Sequence, residues 1–243
     1  MKYKRTFNYK ETRCTITADS ETAIEVAISS IKRHRSQLEK YVRDHPKFLH
    51  SLKPVQVDKG PAVARLMAEA AKLAGVGPMA AVAGVLADLA VEDMVSNGAQ
   101  VAVVENGGEV YAVSNIPINV ALVAGDSPLS KRIGFRLEDF PIGIATSSGL
   151  YSHALSFGEA EAVTVFAVNA GVADAAATAV GNLVKGEDWR KAVECGIAKA
   201  LSIEGVNGVL ILYRGLVGKG GQIPKIVKVS ATSKGDMKDS LDL

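Results

Sequence analysis

Apolar residues recur at helical spacing in the first part of the chain and form short β-branched runs further along it. Residues 3–17 alternate loosely between apolar and polar, and they are rich in Thr, Tyr and Phe. This pattern predicts a β-hairpin that turns near Lys10 and Glu11. Asp19 and Ser20 then offer helix caps, and the apolar stripe that follows predicts a long helix ended by Pro46.

Two more helices are predicted before the first Asn-Gly turn. The second ends at Gly75, and the third begins at Pro78, a favoured first helical position, and runs to about Ser96. Residues 79–87 carry no polar side chain, so this half-helix is expected to be buried all round. Gly84 within it costs about 1 kcal/mol relative to Ala, and a close approach of backbone or ligand would justify that cost.

The second half of the chain is predicted to consist mainly of strands. Helices followed by sequentially adjacent strands favour an α+β fold with an antiparallel sheet and flanking helices. We expect one domain over residues 1–230 and a flexible, polar C-terminal tail over residues 231–243. Strands are predicted at 101–104, 110–113, 118–123, 133–136, 142–145, 162–168, 209–213 and 223–229, and helices at 171–183 and 188–201.

Composition narrows the possible partners. The 243 residues carry a net charge of only +2 and 5% aromatic residues, which argues against nucleic acid as a partner. Cys14 and Cys195 are far apart and fit no zinc-ligand spacing. Without a signal peptide or a membrane-spanning run, the chain is expected to be cytoplasmic. Its many small apolar residues are compatible with a homo-oligomer.

Two glycine-containing stretches have both a structural and a functional interpretation. In residues 76–84, small side chains permit tight helix packing or the approach of a flat ligand. In residues 105–109, Asn106 with Gly107 and Gly108 is a strong hairpin signal. The functional alternative is that the glycines let backbone amides approach a ligand while Asn106 fixes the loop.

A hydroxyl-rich loop is the third candidate. Thr146, Ser147, Ser148 and Gly149 leave a predicted strand and can point N–H and O–H donors at a phosphate, although such turns also form for local reasons. His153 follows closely and is the candidate catalytic residue, with a hydrogen-bonded structural histidine as the alternative.

The fourth candidate is a predicted helix with Asp174 and Thr178. These residues are four apart and share a helix face, and only alanines lie between them. A carboxylate and a hydroxyl on one open face suit a hard cation such as Mg²⁺. The structural alternative is that Asp174 favours the positive end of a helix while Thr178 packs.

In this order, the four stretches resemble the ApbE superfamily of Mg²⁺-dependent flavin transferases. The more specific likeness is to an uncharacterised ApbE-like family found mainly in archaea and anaerobic bacteria. It covers about residues 3–230 and is carried by the sequences VGPMAAVAG, VENGGEVY, TSSG, HALSFG and ADAAATAVGN.

This resemblance implies a T-fold-like α+β structure and a role for each motif. Asp174 and Thr178 would be the metal ligands, as in the transferases. The motif residues would line a pocket for FAD, FMN or another phosphate-bearing small molecule: Gly84, Asn106, Gly107, Gly108, Thr146, Ser147, Ser148 and Gly149.

Two departures from the transferase pattern count against flavin transfer itself. The transferases have Lys where Ala83 stands, and an Asp-Pro-Arg-Thr-Gly stretch that is missing near His153. Phosphoryl transfer relies on such cations. Two alternatives therefore remain open beside ligand binding. One, implied by the resemblance of the more specific family to proteins linked to anaerobic sulfur assimilation, is a part in homocysteine formation, with His153 or Cys195 involved. The other is a non-catalytic scaffold subunit.

Overall fold

The computed structural model describes residues 2–122, 130, 132–148 and 158–229, and within them an extended antiparallel sheet carries most of the strands. The loops predicted to hold Gly149 and His153, and the predicted tail at 231–243, lie outside the described residues. The strands are β1 (Tyr3–Tyr9), β2 (Thr12–Ala18), β3 (Val101–Asn106), β4 (Glu109–Ser114), β5 (Ile118–Ala121), β6 (Ile133–Leu137), β7 (Ile142–Ser147), β8 (Ala162–Ala167), β9 (Val206–Tyr213), β10 (Leu216–Gly221) and β11 (Lys225–Lys228).

The helices cover one face of this sheet, and their ends follow from local capping. Ser20 Oγ accepts from the Ala23 amide at 3.1 Å at the start of the first helix. Gly75 ends the helix Ala62–Ala74 with a positive φ of 79°. The helices are α1 (Glu21–Asp44), α2 (Pro46–His50), α3 (Ala62–Ala74), α4 (Val82–Ser96), α5 (Ala170–Gly181) and α6 (Trp189–Leu201).

The helix predicted from Pro78 to Ser96 is divided in two. Pro78–Ala81 forms a 3₁₀ turn, and α4 starts only at Val82. The N-cap residue of α4 is Ala81, and its methyl side chain cannot accept a hydrogen bond from the first amides of the helix. The Val82 amide donates to the Met79 carbonyl of the preceding turn, and the amides that follow need an acceptor from another part of the fold, because a buried helix end without partners is costly.

The strands form two antiparallel sheets and not one continuous sheet. Eight strands form one sheet in the order β1-β2-β3-β4-β7-β8-β9-β10, and three form a second sheet in the order β11-β6-β5. All the strand pairings described are antiparallel. The α+β prediction with antiparallel sheet and flanking helices is confirmed.

Strand β10 was missed because glycine is depleted in strands. Its glycines have a packing reason that only the structure shows. A Cβ on Gly218 would lie 2.2 Å from Val193 Cγ1, and one on Gly220 would lie 2.4 Å from Ile197 Cγ2. Helix α6 can therefore lie directly against β10.

The large sheet separates two hydrophobic layers. On one face, β7 and β8 contribute Ala145, Val163 and Val165 to a core shared with α3, α5 and α6. On the other face, Phe166 packs edge-to-face against Phe135 of the second sheet at a centroid distance of 4.8 Å. Alternate residues of each strand face opposite layers, so neighbouring residues of one motif can end up on different sides of the sheet.

Two further sequence expectations can be compared with the structure. Cys195, named above for the sulfur-assimilation alternative, has an exposed side chain on α6. Among the described residues, no single helix is long and apolar enough to cross a membrane. The pair Ala62–Ala74 and Pro78–Ser96 meets the length and composition criteria together, but it is bent by 101°.

Candidate functional site

Helix α5 is buried at every position except two, and these two are Asp174 and Thr178. Asn169 caps the helix by accepting from the Val172 amide at 2.9 Å. Because Asp174 and Thr178 are four residues apart, they lie one above the other on the helix. The partly accessible stripe of an otherwise buried helix therefore consists of one carboxylate and one hydroxyl.

The backbones of α4 and α5 cross closely at two glycines. A Cβ on Gly84 would lie 2.2 Å from the carbonyl oxygen of Ala170, and one on Gly171 would lie 2.6 Å from Val85 Cγ2. Such distances leave no room for a side chain without a shift of the backbone. The structural role predicted as one alternative for Gly84, tight helix packing, is therefore present in the fold.

Asp174 supplies the acceptor that the start of α4 lacks. Its Oδ2 accepts from the Gly84 amide at 3.0 Å. Burial raises the pKa of Asp174 to about 7, and the nearby charge of Asp88 adds to this rise. The hydrogen bonds from the Gly84 and Ala83 amides oppose it. The carboxylate thus combines a structural bond with an unusually basic oxygen.

Asp88 makes the reciprocal contact from α4 to α5, and sequence reasoning missed it. Its two oxygens accept from the amides of Ala170 and Gly171 at 2.7 and 2.8 Å. The side chain is only 5% exposed, and burial raises its pKa to about 7. An acidic residue within the apolar helix 82–96 is the signal that could have identified it, because a buried carboxylate requires partners.

The hairpin between β3 and β4 holds the first turn of α4 in place. Asn106 is buried, and its Nδ2 donates to the Ala83 carbonyl at 2.9 Å. Gly107 and Gly108 adopt φ values of 72° and 120°, which L side chains rarely adopt. Their amides are already committed, Gly107 to the Arg13 carbonyl and Gly108 to Glu105 Oε1. In this structure the two glycines shape the turn.

Glu109, the last residue of the stretch 105–109, is the third acidic group in this region. Strand alternation puts it on the same sheet face as Tyr111, which packs in the cluster formed with α4. Burial raises the pKa of Glu109 well above its ordinary range, and repulsion by Asp174 raises it further. A carboxylate from a distant part of the chain therefore changes the pKa of Glu109.

The predicted hydroxyl-rich loop is divided by the sheet. Ser147 lies on the α5 side, since a Cβ on Gly181 would be 3.1 Å from its Oγ. Thr146 lies on the opposite face, where its Oγ1 is 2.9 Å from Thr164 Oγ1. Ser148 is buried. The structure thus brings Gly84, Asn106, Ser147, Asp174 and Thr178 to one side of the sheet and Thr146 to the other.

The oxygen atoms at this site provide some of the ligands that a hard cation requires. Asp174, Glu109 and Thr178 offer oxygen atoms, the ligand type that Mg²⁺ prefers, and Mg²⁺ usually keeps several waters. Neither carboxylate has an ion pair with any described residue. The part of the chain that the structure describes has no group of three or more His, Cys, Asp or Glu side chains placed to hold a metal. Two carboxylates and a hydroxyl are what this site offers.

Solved structures show which class of protein has this fold. The chain is similar to the apo crystal structure of the flavinyl transferase ApbE from Pseudomonas stutzeri, with a TM-score of 0.58, 17% identity and coverage of 90% and 94% of the two chains. It is also similar to the ApbE protein of Thermotoga maritima, with a TM-score of 0.59, 19% identity and coverage of 90% and 97%. The fold is therefore ApbE-like.

Sequence comparison gives the family more closely. The family described as AbpE bacteria matches residues 2–205. A UPF0280 protein of Methanopyrus kandleri is 42% identical over 223 residues, covering 90% of this chain and 91% of the relative. Another, from Methanococcus aeolicus, is 37% identical over 240 residues, covering 95% and 96%. The chain belongs to this ApbE-like UPF0280 family.

Proposed function

We propose that this protein binds a phosphate-bearing small molecule, with FAD or FMN as the candidates, through Mg²⁺ held by Asp174 and Thr178. The observation that carries the proposal is the burial pattern of α5. The helix leaves only these two side chains partly accessible, and both are oxygen donors. The ApbE-like fold supports the flavin nucleotide as the first ligand to test.

The carboxylates around the site favour the binding of a cation over the direct binding of an anion. The charge of Asp174 raises the pKa of Glu109, that of Asp88 raises the pKa of Asp174, and neither Asp174 nor Glu109 has an ion pair with a described Lys or Arg. A phosphate by itself would be repelled by two carboxylates. Bound Mg²⁺ would supply the positive charge that offsets both the carboxylates and the phosphate.

The residues around Asp174 hold its carboxylate in position. The Gly84 amide donates to Oδ2, and the Ala83 amide also donates to this carboxylate, so the first turn of α4 orients it. Asn106 fixes the Ala83 carbonyl and thereby the first turn of α4. The hydroxyl of Ser147 lies on the α5 side of the sheet and is the hydroxyl we assign to the ligand.

The proposal is binding and does not extend to flavin transfer. The transferases that the sequence resembles have a Lys at the place of Ala83, and the Asp-Pro-Arg stretch of those proteins is also missing here. Without these cations, less of the charge that develops on a transferred phosphoryl group would be neutralised. Ligand recognition needs less of this neutralisation than catalysis does.

The test is isothermal titration of the full chain with Mg²⁺, then with FAD, FMN and riboflavin in Mg²⁺ or in EDTA. We expect FAD or FMN to bind only with Mg²⁺, and riboflavin, which lacks phosphate, to bind at least roughly tenfold more weakly. Riboflavin separates recognition of the phosphate from recognition of the ring. Failure of a folded protein to bind any of these ligands would overturn the proposal.

Matched variants separate the site from the fold. Asp174→Asn keeps an oxygen for the Gly84 amide but removes a charge, and should weaken Mg²⁺ binding roughly tenfold or more. Thr178→Val removes only the hydroxyl. The controls are Asp93→Asn, near the other end of α4, and Thr6→Val, exposed on β1. Unchanged Mg²⁺ binding in Asp174→Asn would contradict the assignment of Asp174 as a ligand, and survival of function in the host after Asp174→Ala would favour the scaffold alternative.

A further inference from the structure

A cleft of about 280 Å³ lies between α3, α4 and the N-terminal end of α5. Neither Asp174 nor Thr178 lines it, so it is separate from the proposed ligand site. Two of its apolar side chains are strongly exposed, Leu73 by 40% and Val168 by 48%. Its apolar surface is formed by Leu66, Ala70, Leu73, Val85, Val168 and Val172.

Three exposed carboxylates surround this apolar surface. Glu69 comes from α3, Glu92 from α4, and Glu204 from the turn after α6. None of them has a salt bridge with any residue that the structure describes. The described lining includes Asp88 as a fourth acid and no Lys or Arg. Because unpaired charges of one sign repel one another, an occupant with positive charge would stabilise this region.

The size of the cleft limits what can enter it. Sites for small molecules usually measure about 300–1,000 Å³ and enclose most of the ligand. This cleft is at or below the lower limit, and its apolar surface continues into the exposed Leu73 and Val168. Those features fit one or two side chains of a protein segment that also covers the surrounding surface.

We infer that this acidic cleft, defined by Glu69, Glu92, Glu204 and the apolar residues between them, is a docking surface for a basic segment of a partner protein. The segment inserts an aliphatic side chain beside Leu73 and Val168. Lys or Arg residues on either side of it pair with the three carboxylates. The charge of the cleft selects the partner, and the apolar surface supplies the contact area. This inference does not depend on the proposed ligand site.

A direct test uses a fluorescent peptide of the sequence Lys-Lys-Leu-Leu-Lys-Lys and the full-length protein, followed by fluorescence anisotropy. A peptide with Glu in place of each Lys is the matched ligand control. We expect the basic peptide to bind and the acidic peptide not to bind. The double variant Glu69→Gln with Glu204→Gln should weaken binding roughly fivefold, as expected for the loss of two exposed ion pairs.

Two further variants address specificity. Glu194→Gln removes an exposed carboxylate of α6 that does not line the cleft, and it should leave peptide affinity unchanged. Leu73→Ser removes apolar surface without changing charge, and it should weaken binding several-fold. Equal binding of the basic peptide to the double variant and to the wild type would overturn the inference, because the attraction would then be non-specific.

Sedimentation of the wild-type protein tests the other occupant, a second copy of the chain. We expect the same sedimentation coefficient for wild type and Leu73→Asp. A wild-type dimer that dissociates in Leu73→Asp would mean that the cleft is an interface between copies, and this result would also overturn the inference.

Discussion

At the scale of single residues, three acidic side chains define the chemistry of the α4–α5 region. Asp88 and Asp174 each accept from the start of the other helix. Glu109 adds a third carboxylate, from β4, and its pKa is raised by burial and by Asp174. Burial of these groups without a counter-charge is costly, and proteins usually retain such groups for a specific structural or functional reason.

The raised pKa of Asp88 predicts how stability changes with pH. Its folded-state pKa is about 7, against an ordinary value of 3.8, so the folded state binds more protons between these values. The contribution of Asp88 to the free energy of unfolding should therefore be largest at or below about pH 4. It should fall by up to about 1.4 kcal/mol per pH unit as the pH rises towards 7.

Urea unfolding of wild type and Asp88→Asn at pH 5, 6, 7 and 8 measures this effect. We expect the variant to lose less stability between pH 5 and 7 than the wild type does. Some slope should remain, because the pKa of Asp174 is raised in the same direction. The same slope in both proteins would contradict the assignment to Asp88.

Gly84 gives a second prediction at this scale. In Gly84→Ala the new Cβ would lie 2.2 Å from the Ala170 carbonyl oxygen, so α4 and α5 must move apart. We expect a loss of about 1–3 kcal/mol in unfolding free energy, despite the better helix propensity of Ala. Ser96→Ala, at the exposed end of the same helix, should change stability by less than about 0.5 kcal/mol. Denaturant unfolding of both variants provides the comparison.

At the scale of elements, helix ends depend on caps of different origin. Helix α1 has a local cap, Ser20, which accepts from the Ala23 amide. Helix α4 has no side-chain cap from its own N-cap residue and takes Asp174 from α5 instead. A local cap can be recognised in sequence, because both partners are within a few residues. A cap supplied by a distant helix cannot.

The local cap of α1 allows a matched pair of identical substitutions. Ser20→Ala removes the acceptor for the Ala23 amide and should cost about 1 kcal/mol of stability. Ser36→Ala lies at an exposed position within the same helix, where Ala is the better helix former, and should be neutral or slightly stabilising. Chemical unfolding of the two variants measures both. Equal effects would mean that Ser20 does not act as a cap.

At the scale of the whole molecule, the large sheet keeps the two sides of the fold separate. The helices, with Asp174 and Glu109, lie on one face, and the second sheet packs on the other. A metal held by Asp174 and Thr178 of α5 would also attract the carboxylate of Glu109 on β4, so its binding would link the two elements. A ligand that binds only the folded state raises its stability in proportion to its affinity.

The stabilisation by Mg²⁺ should therefore depend on pH. Protons compete with the metal at Asp174, whose pKa is about 7, so Mg²⁺ affinity should rise by about tenfold in total from pH 6 to pH 8, mostly below pH 7. The increase in Tm caused by a fixed Mg²⁺ concentration should grow over the same range. Thermal unfolding of wild type and Glu109→Gln checks this. We expect the variant to show a smaller increase at every pH, and an equal increase would exclude Glu109 as a ligand.

Local sequence signals, such as turns, caps and helix stops, determined much of the secondary structure. The hairpin turn at Lys10–Glu11, the cap Ser20 and the stop at Gly75 are all where the sequence predicts them. These features depend on neighbours along the chain, so a pattern of residues is enough to locate them. Strand β10 was missed, because its glycines are required only by the close packing of α6 on this strand.

The chain by itself also determined that Asp174 and Thr178 share a helix face, because four residues make about one helical turn. Only the tertiary structure decided that this face is the accessible stripe of a buried helix and that Glu109 lies near it. It also separated Ser147 from Thr146, because adjacent residues of a strand point to opposite faces of a sheet. The burial of a residue and the charge interactions between distant residues depend on how helices and sheets pack. No local sequence pattern encodes this packing.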